Sequence, residues 1–488
     1  MSVQRNAAAG TWLLLLLLAN GCKVGPNYRT PASAMAPSFK EEAVEVPPPS
    51  APGVGWKRAQ PGDVSIRGKW WESYSDPQLN SLEDRVAVSN QTLKAAAAQY
   101  EQALAAVRQY RSFYFPTVSL TPGYARTRVS RNRPVGVPLN GNPYNDLTVA
   151  GQATWEPDLW GNIRRTVQQA RANAQASAAD LANVELSLRS ELAMDYFELR
   201  GLDTQKQLLD DTIQQYQRYL QLTISRYHGG LATDADVAQA QTQLDQTKAQ
   251  SIDVEVARAQ FEHAIATLTG QPASTFSLAR APLALALPSV PVGVPSEMLE
   301  RRPDVAAAER RAAAANEQIG IAIAAYYPQI SITGTGGFES SRAGNLFQGP
   351  SALWSLGGSA SQLLFDAGRR RALTAEARAA YDAETANYRE TVLQSFQDVE
   401  DQLAALSILN REAAAQQQTV ADAQRSLQIS TNQYKGGLTT YLQVITAQTV
   451  ELSNRRTAAD ITTRQFAASV QLVKALGGGW DTTQLPHP

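Results

Sequence analysis

Tyr227-His228-Gly229-Gly230-Leu231 returns in the chain as Tyr434-Lys435-Gly436-Gly437-Leu438. The glycines lie 207 positions apart (436 − 229). Two more landmarks return in the same order. Asp158-Leu159-Trp160-Gly161 becomes Asp366-Ala367-Gly368 with one deletion, and Tyr114-Phe115-Pro116-Thr117-Val118-Ser119-Leu120 becomes Tyr326-Tyr327-Pro328-Gln329-Ile330-Ser331-Ile332. The chain is therefore two copies of one unit. Glycine accepts the left-handed cap and the tight turn, so each Gly-Gly pair reads as the end of a helix.

Working outward, a very long helix precedes each pair, from about Asn162 to Arg226 and from about Arg369 to Gln433, with no proline in either. Leu192, Tyr196, Leu199 and Leu209, Ile213, Tyr216, Leu220 fall at steps of three and four. Leu393, Phe396, Val399, Leu403, Leu406 repeat the spacing, which is that of a coiled coil. At 1.5 Å per residue, about 65 residues make a rod of roughly 100 Å. A return helix follows each pair, about Thr233–Thr269 and Thr440–Leu476. Each unit thus holds an antiparallel helical hairpin. Each opens with an Ala-rich helix, about Pro77–Tyr114 and Pro303–Tyr327, stopped by Pro116 or Pro328.

Between that helix and the hairpin lie two segments of period two. Val118, Leu120, Tyr124 oppose Thr117, Ser119, Thr121, and Leu147, Val149, Ala153, Trp155 oppose Thr148, Gln152, Thr154. In the second unit Ile330, Ile332, Phe338 oppose Ser331, Thr333, Thr335, and Trp354, Leu356, Leu364 oppose Ser355, Ser359, Ser361. Segments of about ten residues with one apolar and one small polar face match transmembrane barrel strands. Their connecting loops, Arg128–Asn145 and Glu339–Pro350, carry the Gly, Pro, Asn and Arg of exposed hairpins. Four strands cannot close a membrane barrel, for which about eight are needed. Open edges in a bilayer cost several kcal/mol per unpaired group, so strands placed there require oligomerisation. Three chains give about twelve strands around a polar lumen.

Composition narrows the function. Lys+Arg 44 against Asp+Glu 45 gives a net charge of −1, with no basic field for nucleic acid. A single cysteine excludes a disulfide framework and a Cys-built zinc site. His228, His263 and His487 are scattered, so no metal and no cofactor are expected. Asp195 with Glu198, and Glu400 with Asp401, are carboxylate pairs on charge-rich helices without histidine nearby, and no enzyme activity is read from them. The N-terminus reads as a signal peptide: Arg5, then Trp12 and Leu13–Leu18, then Ala19-Asn20-Gly21-Cys22. The one cysteine falls at the cut, the place of an acylated lipoprotein cysteine. Ala19 and Asn20 stand where a lipobox usually has Leu and a small residue. Lys23, not Asp, follows the cysteine, which argues against retention in the inner membrane. Val24 to about Arg67, with Pro47-Pro48-Pro49, reads as an extended tether or strap.

These residues resemble the TolC/OprM-like outer membrane factors, in the lipoprotein branch serving RND-type efflux systems. The resemblance rests on Cys22-Lys23-Val24-Gly25-Pro26-Asn27-Tyr28, Trp70-Trp71 with Asp76-Pro77, Arg301-Arg302-Pro303-Asp304-Val305, Ala325-Tyr326-Tyr327-Pro328-Gln329-Ile330-Ser331, Phe365-Asp366-Ala367-Gly368 and the two tips. It covers essentially the whole chain. It implies an α+β, mainly helical fold: a homotrimer sharing a transmembrane β-barrel with four strands per chain, a long α-helical periplasmic barrel and a mixed equatorial belt. The expected organisation is a signal peptide (1–21), a lipidated tether (22–76), a first repeat (77–272), a linker (273–302), a second repeat (303–477) and a tail (478–488). Expected strands cover about 117–128, 146–156, 329–339 and 352–365. The implied function is a passive outer membrane channel exporting small molecules, with a lipid on Cys22. Its implied partners are outer membrane lipid, a periplasmic adaptor and an inner-membrane RND transporter. An exit duct for type I secretion and a pore-less periplasmic coiled-coil lipoprotein are the alternatives.

In the family, acidic rings after the second tip constrict the closed pore. Here those positions are Gln443 and Thr446, so Asp234 or Asp236 of the first tip is expected to supply the ring, with Tyr441 and Leu442 as the apolar part of the iris. Gly229, Gly230, Leu231, Gly436, Gly437 and Leu438 are expected to contact the adaptor.

Overall fold

The computed structural model describes residues 23–33, 39–40, 68–130, 142–288 and 301–486. The signal peptide, Cys22, most of the tether, part of the 273–302 linker and His487 lie outside the described residues. The described chain runs α1 (Pro77–Ser89), α2 (Gln91–Arg111), β1 (Thr117–Thr127), β2 (Tyr144–Trp155), α3 (Asn162–His228), α4 (Asp234–Leu268), α5 (Pro303–Ala324), β3 (Gln329–Ser340), β4 (Ala352–Ser361), α6 (Arg369–Lys435) and α7 (Tyr441–Ala475). Short 3₁₀ turns join several of them, among them Trp70–Tyr74.

The opening helix of the first unit differs from expectation: it is two helices. Asn90 leaves the helical region at ψ 126°, its N–H still donating to Val86 O. Its Oδ1 accepts from Leu93 N at 3.0 Å and its Nδ2 donates to Leu268 O at 2.9 Å. One asparagine therefore ends α1, caps α2 and ties both to the end of α4. The fourth strand is also shorter than its alternation suggests. It stops at Ser361, and Leu363, Leu364 and Phe365 lie exposed beyond it.

α3 and α6 are 67 residues each, about 100 Å of helix. α3 packs along α4 and α6 along α7, making the two hairpins; α5 lies against both α3 and α6, and α2 against α3. Alanines allow the close approach of α5 to α3: Ala306 and Ala307 cluster with Ala179, and Ala313 and Ala314 with Ala172. Arg302 joins three elements where α5 begins. It donates to Asp304 at 2.7 Å, to Asp398 of α6 at 3.0 Å and to Ala475 O of α7 at 3.1 Å.

The main core lies midway along the rod. Trp70, Trp71 and Tyr74 are buried there with Leu79, Leu82, Phe197, Leu199, Val399 and Phe466. Phe39 of the tether enters the same cluster. The Trp70-Trp71 pair is thus part of the belt core, with Arg189 stacked 4.2 Å from the Trp71 ring centroid.

Candidate functional site: sheet, hairpins and tips

The strands form one antiparallel sheet in the order β1-β2-β3-β4. Register brings the alternating residues of all four onto common faces. One row reads Val118, Ala153, Gly334, Leu356; the next reads Leu120, Gly151, Gly336, Trp354. Large side chains on the outer strands meet small ones on the inner strands. Among the described residues nothing covers the large side chains of this apolar face: Trp354 is 83% exposed and Leu356 74%. The opposite face carries Thr117, Thr154, Thr333 in one row and Ser119, Gln152, Thr335, Ser355 in another. β1 and β4 each have one unpaired edge. Strands of 10 to 12 residues suit a tilted crossing of the hydrocarbon layer. At the foot of the sheet Trp160 stacks on Tyr327 at 4.9 Å and donates through Nε1 to Pro328 O at 2.8 Å. Tyr114, Phe115 and Tyr326 are exposed just before β1 and β3, at the same end of the sheet. No described helix is long and apolar enough to cross a membrane.

Along the hairpins, the buried polar residues serve the architecture. Asp203 accepts from Arg258 Nε at 2.7 Å and Arg200 Nη1 at 3.2 Å, and the two arginines donate to Leu278 O and Ala279 O. Asp195 is partly buried beside Glu191 and Glu198, and burial followed by their repulsion pushes its carboxyl up to about 7. Glu400 accepts from Lys40 N of the tether at 2.7 Å. Among the described residues no group of three or more His, Cys, Asp and Glu is placed to hold a metal ion.

The far ends of the hairpins are built alike. Leu231 N donates to Arg226 O at 2.8 Å and Gly230 N to Tyr227 O at 2.9 Å; Leu438 N and Gly437 N repeat this on Gln433 O and Tyr434 O. These are Schellman turns, with Gly230 at φ 71° and Gly437 at φ 75°. They leave Leu231 68% and Leu438 81% exposed. Gly229 and Gly436 lie beside them at the surface. Arg226 joins the two tips, donating to Lys435 O at 3.0 Å with its guanidinium 4.8 Å from the Tyr434 ring centroid. Neither motif nor periodicity singled out Arg226; its counterpart 207 residues on is Gln433, so the repeat itself hid it.

The structure separates the residues expected at the gate. Asp236 closes a capping box: its Oδ2 accepts from Thr233 N and Thr233 Oγ1, each at 2.8 Å, and its N–H donates to Thr233 Oγ1 at 3.2 Å. Asp234 is exposed in the first turn of α4. Gln443 occupies the position equivalent to Asp236 in the second tip and accepts from Thr439 Oγ1. Leu442, Gln443 and Thr446 are exposed. Tyr441 is 2% exposed and faces inward, in a cluster with Tyr216, Leu220, Leu244, Tyr434 and Val444, its ring 5.2 Å from that of Tyr434. Burial raises its hydroxyl well above the ordinary phenol range.

The family model for outer membrane efflux proteins matches residues 82–271 and 294–478, one match on each hairpin unit. The chain belongs to this family. Among relatives of the efflux family, it is 30% identical over 479 residues to the solvent efflux pump outer membrane protein SrpC of Pseudomonas putida, covering 97% of this chain and 98% of the relative. It is 29% identical over 483 residues to the outer membrane protein OprJ of Pseudomonas aeruginosa, covering 98% and 97%. The efflux-family fold is shared with the outer-membrane channel OprN, with a TM-score of 0.85 at 27% identity over 94% of this chain and 100% of that one. The open state of the Neisseria gonorrhoeae MtrE outer membrane channel gives 0.80 at 25% identity, over 94% and 98%. The protein is therefore an outer membrane efflux protein that shares the fold of these channels.

Proposed function

We propose that the protein works as a passive homotrimeric duct of a tripartite RND-type efflux system, carrying small molecules through the periplasm and outer membrane. The observation that carries this reading is the four-stranded sheet with two open edges, one bare apolar face and one small polar face. β1 of one chain pairing with β4 of the next removes every edge, and three copies make about twelve strands. The Ser/Thr face then lines a wet lumen, and the hairpins continue it for about 100 Å. Relatives are named for export of solvents and toluene and of pyoverdine, which supports small molecules as cargo. A periplasmic adaptor meets the exposed Leu231 and Leu438 with their glycine turns, and an inner-membrane transporter supplies the energy. Cys22 carries the lipid that anchors the chain in the outer membrane, where several acyl chains hold far better than one. Asp234 forms the acidic ring of the gate beside Leu442, Gln443 and Thr446, whereas Asp236 serves the cap.

Two measurements test this. Native mass of the detergent-extracted protein is expected to give three copies, each starting at Cys22 and heavier by its acyl chains; a monomer under gentle extraction would overturn the duct. Planar bilayers are expected to show discrete conductance steps, and Asp234→Ala to raise conductance or reduce cation preference. Unchanged conductance would remove Asp234 from the gate.

A further inference from the structure

The first described residues enter a slot between the start of α3 and the last turns of α5. Arg165, in the first turn of α3, has no exposed side-chain surface. Its Nε and Nη2 donate to Val24 O at 3.0 and 2.7 Å, and its Nη1 to Pro26 O at 2.8 Å and Glu317 Oε2 at 2.9 Å. Asn316 Nδ2 adds a bond to Pro26 O at 3.3 Å. Glu317 lies 3.6 Å from Lys23 Nζ, which also donates to Gln168 Oε1. Val24 N donates to Trp160 O at 3.2 Å. Two glycines make the fit possible. Gly25 stands at φ 88°, where a Cβ would lie 2.8 Å from Gly320 Cα; a Cβ on Gly320 would lie 2.4 Å from Arg165 Nε. Downstream, Tyr28 Oη donates to Glu309 Oε1 at 2.7 Å.

A guanidinium this deeply buried is tolerable only when acceptors fill its donors. Here most of those acceptors are carbonyls of a segment about 140 residues away in sequence. The second unit lacks the residues of the slot: at the offset of 207, Trp160 and Arg165 become Ala367 and Ala372. Lys23 lies against the space a side chain at 161 would need, since a Cβ on Gly161 would be 3.1 Å from Lys23 Cα, next to the Trp160–Tyr327 stack at the foot of the sheet.

We propose that the Arg165–Glu317–Gly320 slot is a receptor for the chain's own Lys23-Val24-Gly25-Pro26 segment, and that it fixes at the foot of the sheet the point where the lipid attached upstream of Lys23 enters the membrane. The membrane level and the lipid rest on the function proposed above; the docking of the segment does not. Arg165 is a positioning residue. Limited trypsin digestion of the full detergent-extracted protein, read by mass, tests it. The Lys23–Val24 bond is expected to resist cleavage in the wild type. In Gly25→Ala, Gly320→Ala and Arg165→Gln it should be cut on the order of tenfold faster, since local opening exposes it. Gly25→Ala alters the strap and not the body, so it should keep the trimeric mass and remains decisive if Arg165→Gln does not fold. Wild type cut as fast as a free peptide of the same sequence, or Gly25→Ala cut no faster than wild type, would overturn the proposal. Bilayer conductance is read separately, so failure of the duct and failure of the slot are distinguishable.

Discussion

Gly230 and Gly437 occupy the left-handed conformation that a side chain enters at a cost of about 1–2 kcal/mol. Alanine at either is expected to loosen its tip by that amount, seen as faster hydrogen exchange confined to the last turns of the hairpin. Asp195 gives a pH dependence with a definite sign. Its carboxyl is raised to about 7 in the folded protein, above the ordinary value, so the folded state holds the proton longer. Its contribution is most favourable below the unfolded pKa of about 4 and is lost as pH rises through the folded value near 7. Asp195→Asn should therefore raise the apparent melting temperature at pH 8 and leave it unchanged near pH 4; equal shifts at both would remove this assignment. The alternation of Leu120 with Ser119 and Thr121 and the left-handed glycines of the tips were readable from residue type alone. The inward turn of Tyr441 was not, because its position follows from Tyr434 of its own hairpin and Tyr216 of the other.

Among the elements, α3 and α7 pack closely where Gly201 faces Thr463. A Cβ at 201 would lie 2.2 Å from Thr463 Oγ1. Gly201→Ala is expected to destabilise by about 1–3 kcal/mol through overpacking. Thr463→Ala should recover most of that loss, and additive effects in a double-mutant cycle of melting curves would refute the contact. Helix ends were mostly legible, since glycine pairs and prolines mark them. The break at Asn90 was not: asparagine in an otherwise helical stretch is ambiguous until Leu268 O is present to bond its amide.

For the whole molecule, removing the exposed apolar knobs of the tips separates conduction from assembly. Leu231→Ser with Leu438→Ser should leave bilayer conductance and trimer mass unchanged while abolishing adaptor-dependent efflux in cells. Retained efflux would move the docking surface elsewhere. The exposure of these two leucines follows from the Schellman turns, which direct them away from the helix ends.

Sequence by itself determined the duplication, the hairpins, the strand faces and the family, because periodicity, glycine conformation and proline chemistry are local and repeat with the unit. Only the tertiary structure decided which residues serve which end. Asp236 is a cap because Thr233 is within reach, Tyr441 is core because two hairpins meet around it, and Arg165 is buried because the carbonyls of Val24 and Pro26 return to fill its donors. Those contacts join residues tens to hundreds of positions apart, where spacing carries no signal.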